Sequence, residues 1–470
     1  MLNFLPKYFT SKAILLYFFT LIAVSLLFSN SLQIQFVIIG SIQVVGFFYF
    51  SNLLTQKWAE IPQNIFVKYI FYTALIIRLL WAIISYYLYI YWTGIPFEWI
   101  SGDAYAYHNL AQWFSALLKE GLSLKPYFDN FEGTYSDTGY PTYLGVIYYI
   151  FGDSILVARL FKALFGAITV FFIYKLATRT FGESTGRMAG IFAMLMPNLI
   201  HYTGLHLKEV EMLLMVVLFI DRADELIRGK KFTFNTLWLP LLLSISLFFF
   251  RTVLGVAAIL ALFSALFLSS ERSGKISRRI FATVSFSIAI FYFVGSQYFI
   301  EIDSVWQQRQ TNQAKSMEWR SVRADGFNKY ARYASTAVFA PMIFTIPFPT
   351  MITVVNQENQ MIMNGSNFVK NIIAFFVLYA LYSMIIEKKW RDYLLIVTFV
   401  VSYLAVIAMS SFAHSERFHQ PVLPFYMILA AYGVSKITNK QKKYFNIYIF
   451  FVFIAIFGWS WFKLSGRGLI

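Results

Sequence analysis

Long apolar runs alternate with short polar breaks from one end of the chain to the other. A bilayer core of about 30 Å takes roughly 20 apolar residues in a helix. On that measure the pattern predicts spans near 14–29, 33–51, 66–93, 155–177, 187–203, 206–221, 235–250, 252–269, 280–298, 367–386, 393–412, 421–436 and 444–462. The expected fold is an all-α polytopic membrane protein of about 11–14 transmembrane helices. The apolar stretch 336–355 is interrupted by Pro341, Pro347 and Pro349, which predicts a re-entrant or interfacial piece. The first run, Ala13 to Phe28, follows Lys7 and Lys12 as a signal peptide would. Its exit, Ser29-Asn30-Ser31, lacks the small-residue cleavage pattern, so a retained first helix is expected.

Composition agrees with the pattern. Of 470 residues 59% are hydrophobic, 20% aromatic and 13% charged, with a mean hydropathy of +0.61. A soluble chain could not bury that much apolar surface and still wet its exterior. The absence of Cys excludes disulfides, thiolate catalysis and thiolate metal sites.

The formal charge of +16 gains meaning when it is sorted by side. Four short loops are basic: 221–231 (Arg222, Arg228, Lys230, Lys231), 271–279 (Arg272, Lys275, Arg278, Arg279), 387–392 (Lys388, Lys389, Arg391) and 436–443 (Lys436, Lys440, Lys442, Lys443). Lys- and Arg-rich short loops belong in the cytoplasm, which places the N-terminus there as well. Loop 94–140 then lies outside, with six acids (Glu98, Asp103, Glu120, Asp129, Glu132, Asp137) against Lys119 and Lys125. A second outer segment, 299–335, carries Arg309, Lys315, Arg320, Arg323, Lys329 and Arg332 beside Glu301, Asp303, Glu318 and Asp325. Six outer bases run against the usual bias and call for a local partner or an anionic ligand. No inner segment offers a P-loop or a Gly-rich dinucleotide turn, because Gly182 to Arg187 has the wrong spacing. That excludes ATP or a nucleotide sugar drawn from the cytosol. The polar mass, and with it the chemistry, is expected outside.

Four clusters could carry that chemistry. Asp103, in Gly102-Asp103-Ala104-Tyr105-Ala106-Tyr107-His108, leads into an amphipathic stretch from Asn109 to Lys119. It serves either as a helix N-cap or as a general base for a hydroxyl acceptor. Asp137, Gly139, Tyr140 and Pro141 form a stiff turn into a Tyr-rich helix, followed by Arg159 and Lys162. These two cations sit where they must pair or snorkel. His201, His206, Lys208, Glu209 and Glu211 cluster where two spans join. His206 and Glu209 have the spacing to share a helix face, yet no zinc signature is present, and a Lys–Glu pair fits better than a metal. Arg417, beside Glu416, Phe418 and His419, either snorkels to headgroups or binds phosphate with its planar fork, and Arg251 has the same two readings.

Taken in order, Asp103, Gly139-Tyr140-Pro141, Phe151-Gly152, Ala158-Arg159-Leu160, Phe181-Gly182, Met196-Pro197, Gly204, Glu209 and Glu416-Arg417-Phe418 resemble the GT-C glycosyltransferases. The resemblance is to the branch of protein O-mannosyltransferases and the lipid A aminoarabinose transferase. It covers about residues 66–300, with support from Glu416-Arg417. It implies interfacial helices in the first outer loop and a sugar donor linked to a polyprenyl phosphate or diphosphate. In the family an acid of that loop activates the acceptor or holds a metal, and the matching position is Asp103. A second acid or a D-x-D pattern is replaced here by Ala104 and Tyr105. That departure argues against the metal-dependent members, and no cofactor is expected.

Four segments follow: two added helices (1–65), a catalytic module (66–300) with outer loop 94–153, an outer segment (301–366) and C-terminal helices (367–470). The expected enzyme is a hexosyl- or pentosyltransferase of a bacterial cytoplasmic membrane. Its acceptor is a lipid, glycan or protein hydroxyl, and nucleic acid is no partner. Asp103 is the expected base; Arg417, Arg159, Lys208 and Arg251 hold the donor phosphate. Tyr105, Tyr107, His108, Asp137, Tyr140, His206, Glu209 and His419 contact substrate. The rivals are a polymerase or ligase of another fold, a lipid-linked oligosaccharide flippase or transporter, and a non-enzymatic scaffold. In a scaffold Asp103, Arg159, Lys208, Glu209 and Arg417 should not meet.

Overall fold

In lipid every backbone N–H and C=O must be satisfied within the segment, so these apolar runs fold as helices. A computed structural model describes residues 2–28, 30–131, 136–229, 234–269, 276–294, 309–321 and 330–467, together with positions 303 and 307. Among them there is no strand, only an isolated bridge between Ser31 and Ile352. Lys230, Lys231, Arg272, Lys275, Glu132, Glu301, Arg323, Asp325 and Lys329, which figured in the charge argument, lie outside the described residues.

Among the described residues seven helices are long and apolar enough to cross a membrane: α1 (Lys7–Phe28), α2 (Ile34–Lys57), α3 (Gln63–Thr93), α7 (Ile155–Phe181), and those at Asn364–Ile386, Trp390–Met409 and Gln441–Ser465. Between α3 and α7 stand α4 (Gly102–Lys119), α5 (Lys125–Asp129) and α6 (Gly139–Phe151). The chain is an all-α polytopic membrane protein, as its pattern predicts.

Several expected spans take a different form. The run 187–203 is α8 (Glu183–Leu195), a break at Met196, and a short α9 (Pro197–His201). Pro197 disfavours helical backbone at Met196, which is extended. The run 206–221 becomes α10 (Glu209–Arg228), shifted toward the C-terminus and closed by its own charges. The run 421–436 is a helix of only 14 residues, Leu423–Lys436, buried on every side from Leu423 to Ser435. A helix enclosed by protein need not match the bilayer's thickness. The adjoining runs 235–250 and 252–269 are α11 (Phe234–Phe250) and α12 (Thr252–Leu268), separated by Arg251 alone. The span expected at 280–298 is α13 (Ile276–Val294) as far as it is described. The stretch 336–355 contains one short helix, Thr336–Met342, and then irregular chain.

The Asn364–Ile386 helix lies at the centre, packed against Leu423–Lys436 and α2. α1 packs against α2 and Gln441–Ser465, which joins residues 1–65 to the C-terminal helices. At the end remote from residues 94–154, Arg179 on α7 pairs with Asp221 at 2.9 Å and Asp224 at 2.7 Å on α10. Arg222 and Arg228 lie within α10, paired with Glu225 and Asp224. Much of the basic character of that loop is therefore matched by acids one turn away.

α2 meets the central helix through glycine. A Cβ on Gly365 would sit 2.7 Å from the Gly40 Cα, where neither backbone can yield cheaply, whereas a Cβ on Gly46, farther along α2, would have nothing within 4 Å. Gly365→Ala should cost about 1–3 kcal/mol by overpacking. Thermal unfolding in detergent should show a lowered midpoint for Gly365→Ala and an unchanged one for Gly46→Ala.

Candidate active site

Asp103 falls in the first turn of α4 and does not cap it, since Ser101 holds that position. There its negative charge favours the helix N-terminus, and its side chain is 61% exposed. Asp103 pairs with Arg417 Nη1. The same guanidinium sends Nε to Glu209 Oε1 at 2.5 Å and Nη2 to the Tyr107 hydroxyl at 3.5 Å. Burial pushes the Tyr107 phenol up to about 12, so it stays protonated and donates to Asp137 Oδ1 at 3.3 Å. Asp137 has φ of 80°, a left-handed conformation that is costly for Asp. It pairs with Lys208.

Lys208 immediately precedes α10, is 3% exposed, and donates to the Phe250 carbonyl at 2.5 Å. It thereby ties the end of α11 to the start of α10. Arg251, in the break after α11, reaches Glu209 Oε1 at 3.4 Å and the Tyr403 hydroxyl at 3.3 Å, and lies over the Phe418 ring at 4.3 Å. Glu209 is fully buried between the two guanidiniums. A carboxylate in that position is tolerable only because it is paired on both sides.

These groups surround a cavity of about 1010 Å³. Asp103, Tyr107, Asp137, Lys208, Arg251 and Arg417 line it. Lys315, Ser316 and Arg320 line it too, together with Ser410, Ser411 and Ser415.

The remaining expected residues stand elsewhere. Arg159 is fully buried, donates to the Pro96 carbonyl at 2.5 Å, and faces the rings of Tyr86 and Tyr89. It supports the chain before Asp103 without lining the cavity. His108 Nδ1 contacts the Tyr148 hydroxyl at 2.7 Å, which contacts His206 Nε2 at 3.2 Å. His206 lies ahead of α10, so it shares no helix face with Glu209, contrary to the spacing expectation. Tyr140 lies under Lys162 at 4.8 Å, and Lys162 pairs with Glu211 at 3.1 Å. Tyr105 is 41% exposed and packs on Phe97. His419 is held between the Ala413 carbonyl and Lys370. Among the described residues no three His, Asp or Glu side chains converge as a metal-ligand set.

Sequence reasoning passed over Tyr403 and the buried Arg78, and gave Phe418 no role of its own. Arg78 donates to the Ala193 and Met194 carbonyls and shares a cavity of about 10 Å³ with Glu209. An Arg inside an apolar run was the available signal.

Residues 140–295, a third of the chain, match the family described as dolichyl-phosphate-mannose-protein mannosyltransferase. The match bears out the resemblance to the GT-C glycosyltransferases. It supports a membrane glycosyltransferase that draws on a lipid-linked sugar. No curated protein and no solved structure matches the chain.

Burial separates the two carboxylates that share Arg417. Glu209→Gln leaves two cations against a neutral group and should cost about 3–5 kcal/mol of stability. Asp103→Asn, on the exposed side of the same guanidinium, should cost about 0–1 kcal/mol. Thermal unfolding of the two purified variants in one detergent checks the order; equal midpoints would contradict it.

Proposed function

We propose that the chain transfers a sugar from a polyprenyl-phosphate or polyprenyl-diphosphate donor to a hydroxyl of a lipid, glycan or protein acceptor, on the outer face of a bacterial cytoplasmic membrane. The observation that carries this reading is an exposed carboxylate, Asp103, on the wall of a cavity that also presents Lys208, Arg251 and Arg417.

Glycosyl transfer needs both halves of that arrangement. The acceptor oxygen attacks the anomeric carbon as its proton passes to the Asp103 carboxylate, which is general-base catalysis. The bond between the anomeric carbon and the phosphate oxygen breaks, and its electron pair stays on the phosphate. Arg417 and Arg251, fixed by Glu209, and Lys208, fixed by Asp137, meet that growing negative charge without reorganising. Tyr107 orients Asp137 and Arg417. Arg159 acts as a positioning residue through Pro96, and the His108–Tyr148–His206 chain ties α4 and α6 to the approach of α10. An ion pair between Asp103 and Arg417 suits a base that is released when a phosphate takes over the guanidinium.

Two measurements test the assignment. Asp103→Asn, folded as well as the parent, should lose about 10²- to 10⁴-fold in transfer rate. Near-full activity in that variant would sink the mechanism. Arg417→Lys keeps the charge but loses the fork, and should lower transfer about 10²- to 10³-fold, the scale of one lost preorganised donor. Mass spectrometry of lipid co-purified with the full chain should find a polyprenyl-phosphate sugar.

A further inference from the structure

The helix Arg309–Ser321 brings two of the six anomalous outer bases, Lys315 and Arg320, to the lining of the cavity that holds Asp103. The helix is anchored there: Ser316 Oγ donates to the Ser411 carbonyl at 2.5 Å, Gln313 to the Ala408 carbonyl, and Gln357 to the Arg320 carbonyl at 2.7 Å.

The two sets of cations differ in charge balance. Lys208, Arg251 and Arg417 each face a carboxylate, supplied by Asp137, Glu209 and Asp103. That set balances three cations with three acids. Lys315 has no ion pair among the described residues, and it is exposed to the cavity. Arg320 is only 7% exposed, bonds Ser316 through Nη1, and has no partner at Nε. The Glu416 carboxylate acts on Arg320 electrostatically without forming an ion pair. A guanidinium so deeply buried with an unused N–H is costly unless an acceptor meets it, and a phosphate oxygen is the acceptor its fork fits.

We propose that Lys315 and Arg320 form a second anion subsite of the cavity, which takes a phosphate-class group other than the one held by Arg417, Arg251 and Lys208. The inference rests on the glycosyl-transfer reading and narrows its substrate: the bound pair presents two anionic groups. The second group comes either from the distal phosphate of a diphosphate-linked donor or from an anionic acceptor. Ser410, Ser411 and Ser415 add hydroxyl-bearing residues to the same lining.

The test uses the purified full chain in nanodiscs, with polyprenyl monophosphate and polyprenyl diphosphate of equal chain length as ligands. If the donor supplies the second anion, the parent binds the diphosphate about tenfold tighter, and Lys315→Ala and Lys315→Glu abolish that preference while leaving monophosphate binding unchanged. If the acceptor supplies it, the two lipids bind alike, and inorganic phosphate binds the parent saturated with monophosphate, weakened about tenfold or more by Lys315→Glu. Lys315 is exposed, so its variants should fold even where Arg320→Gln does not. Unchanged binding of both lipids and of phosphate in the Lys315 variants overturns the subsite. The Asp103→Asn transfer assay is read separately: loss there with unchanged lipid binding in the Lys315 variants upholds glycosyl transfer and removes the second anion alone.

Discussion

Glu209 is a carboxylate with no exposed surface, and the site is organised around the need to pair it. A charge removed from water at such depth must be met by cations in good geometry or it neutralises. Arg417 comes to it from a segment 208 positions later in the chain, and Arg251 from the one-residue break between α11 and α12. Satisfying one carboxylate therefore fixes three distant pieces of backbone relative to one another. It also leaves one edge of the Arg417 guanidinium pointing outward, where Asp103 meets it.

The neighbouring contacts repeat this logic at lower cost. Lys208 uses one hydrogen on the open carbonyl of Phe250 and its charge on Asp137, so the end of α11 and the strained turn before α6 are both held by one ammonium. Lys162 is satisfied by Glu211 and the Leu207 carbonyl. Arg159, expected as a phosphate ligand, donates through Nη2 to the Pro96 carbonyl and faces two tyrosine rings, while its Nε and Nη1 have no partner. A cation one turn inside a span can pair either with substrate or with backbone, and only the path of residues 94–101 decides which.

Helix placement shows the same division. The α1 run is apolar on every face: Leu15, Phe19, Ile22 and Leu26 are exposed while Phe9, Ala13, Tyr17 and Val24 are buried. Lipid and protein interior are alike to such side chains, so periodicity carries no signal of which face meets which. Proline and glycine act on their own backbone, yet the expected span 187–203 runs through Met196-Pro197, where the helix breaks, and Gly139 to Pro141, expected as a turn, form the first turn of α6.

The sequence by itself determined the class of protein, the approximate position of many of its helices, the charged residue types available near their ends, and the concentration of six bases in segment 299–335. These follow from local physics: hydrophobic length, charge sorted by side, and backbone restriction. Tertiary structure alone decided that Asp103, Lys208, Glu209 and Arg417 meet while Arg159 and His419 stand apart, and that Lys315 and Arg320 line the same cavity. Those contacts join segments up to 314 positions apart. No local preference reaches that far, and the pairing is set by which buried charges must be neutralised when the helices close together.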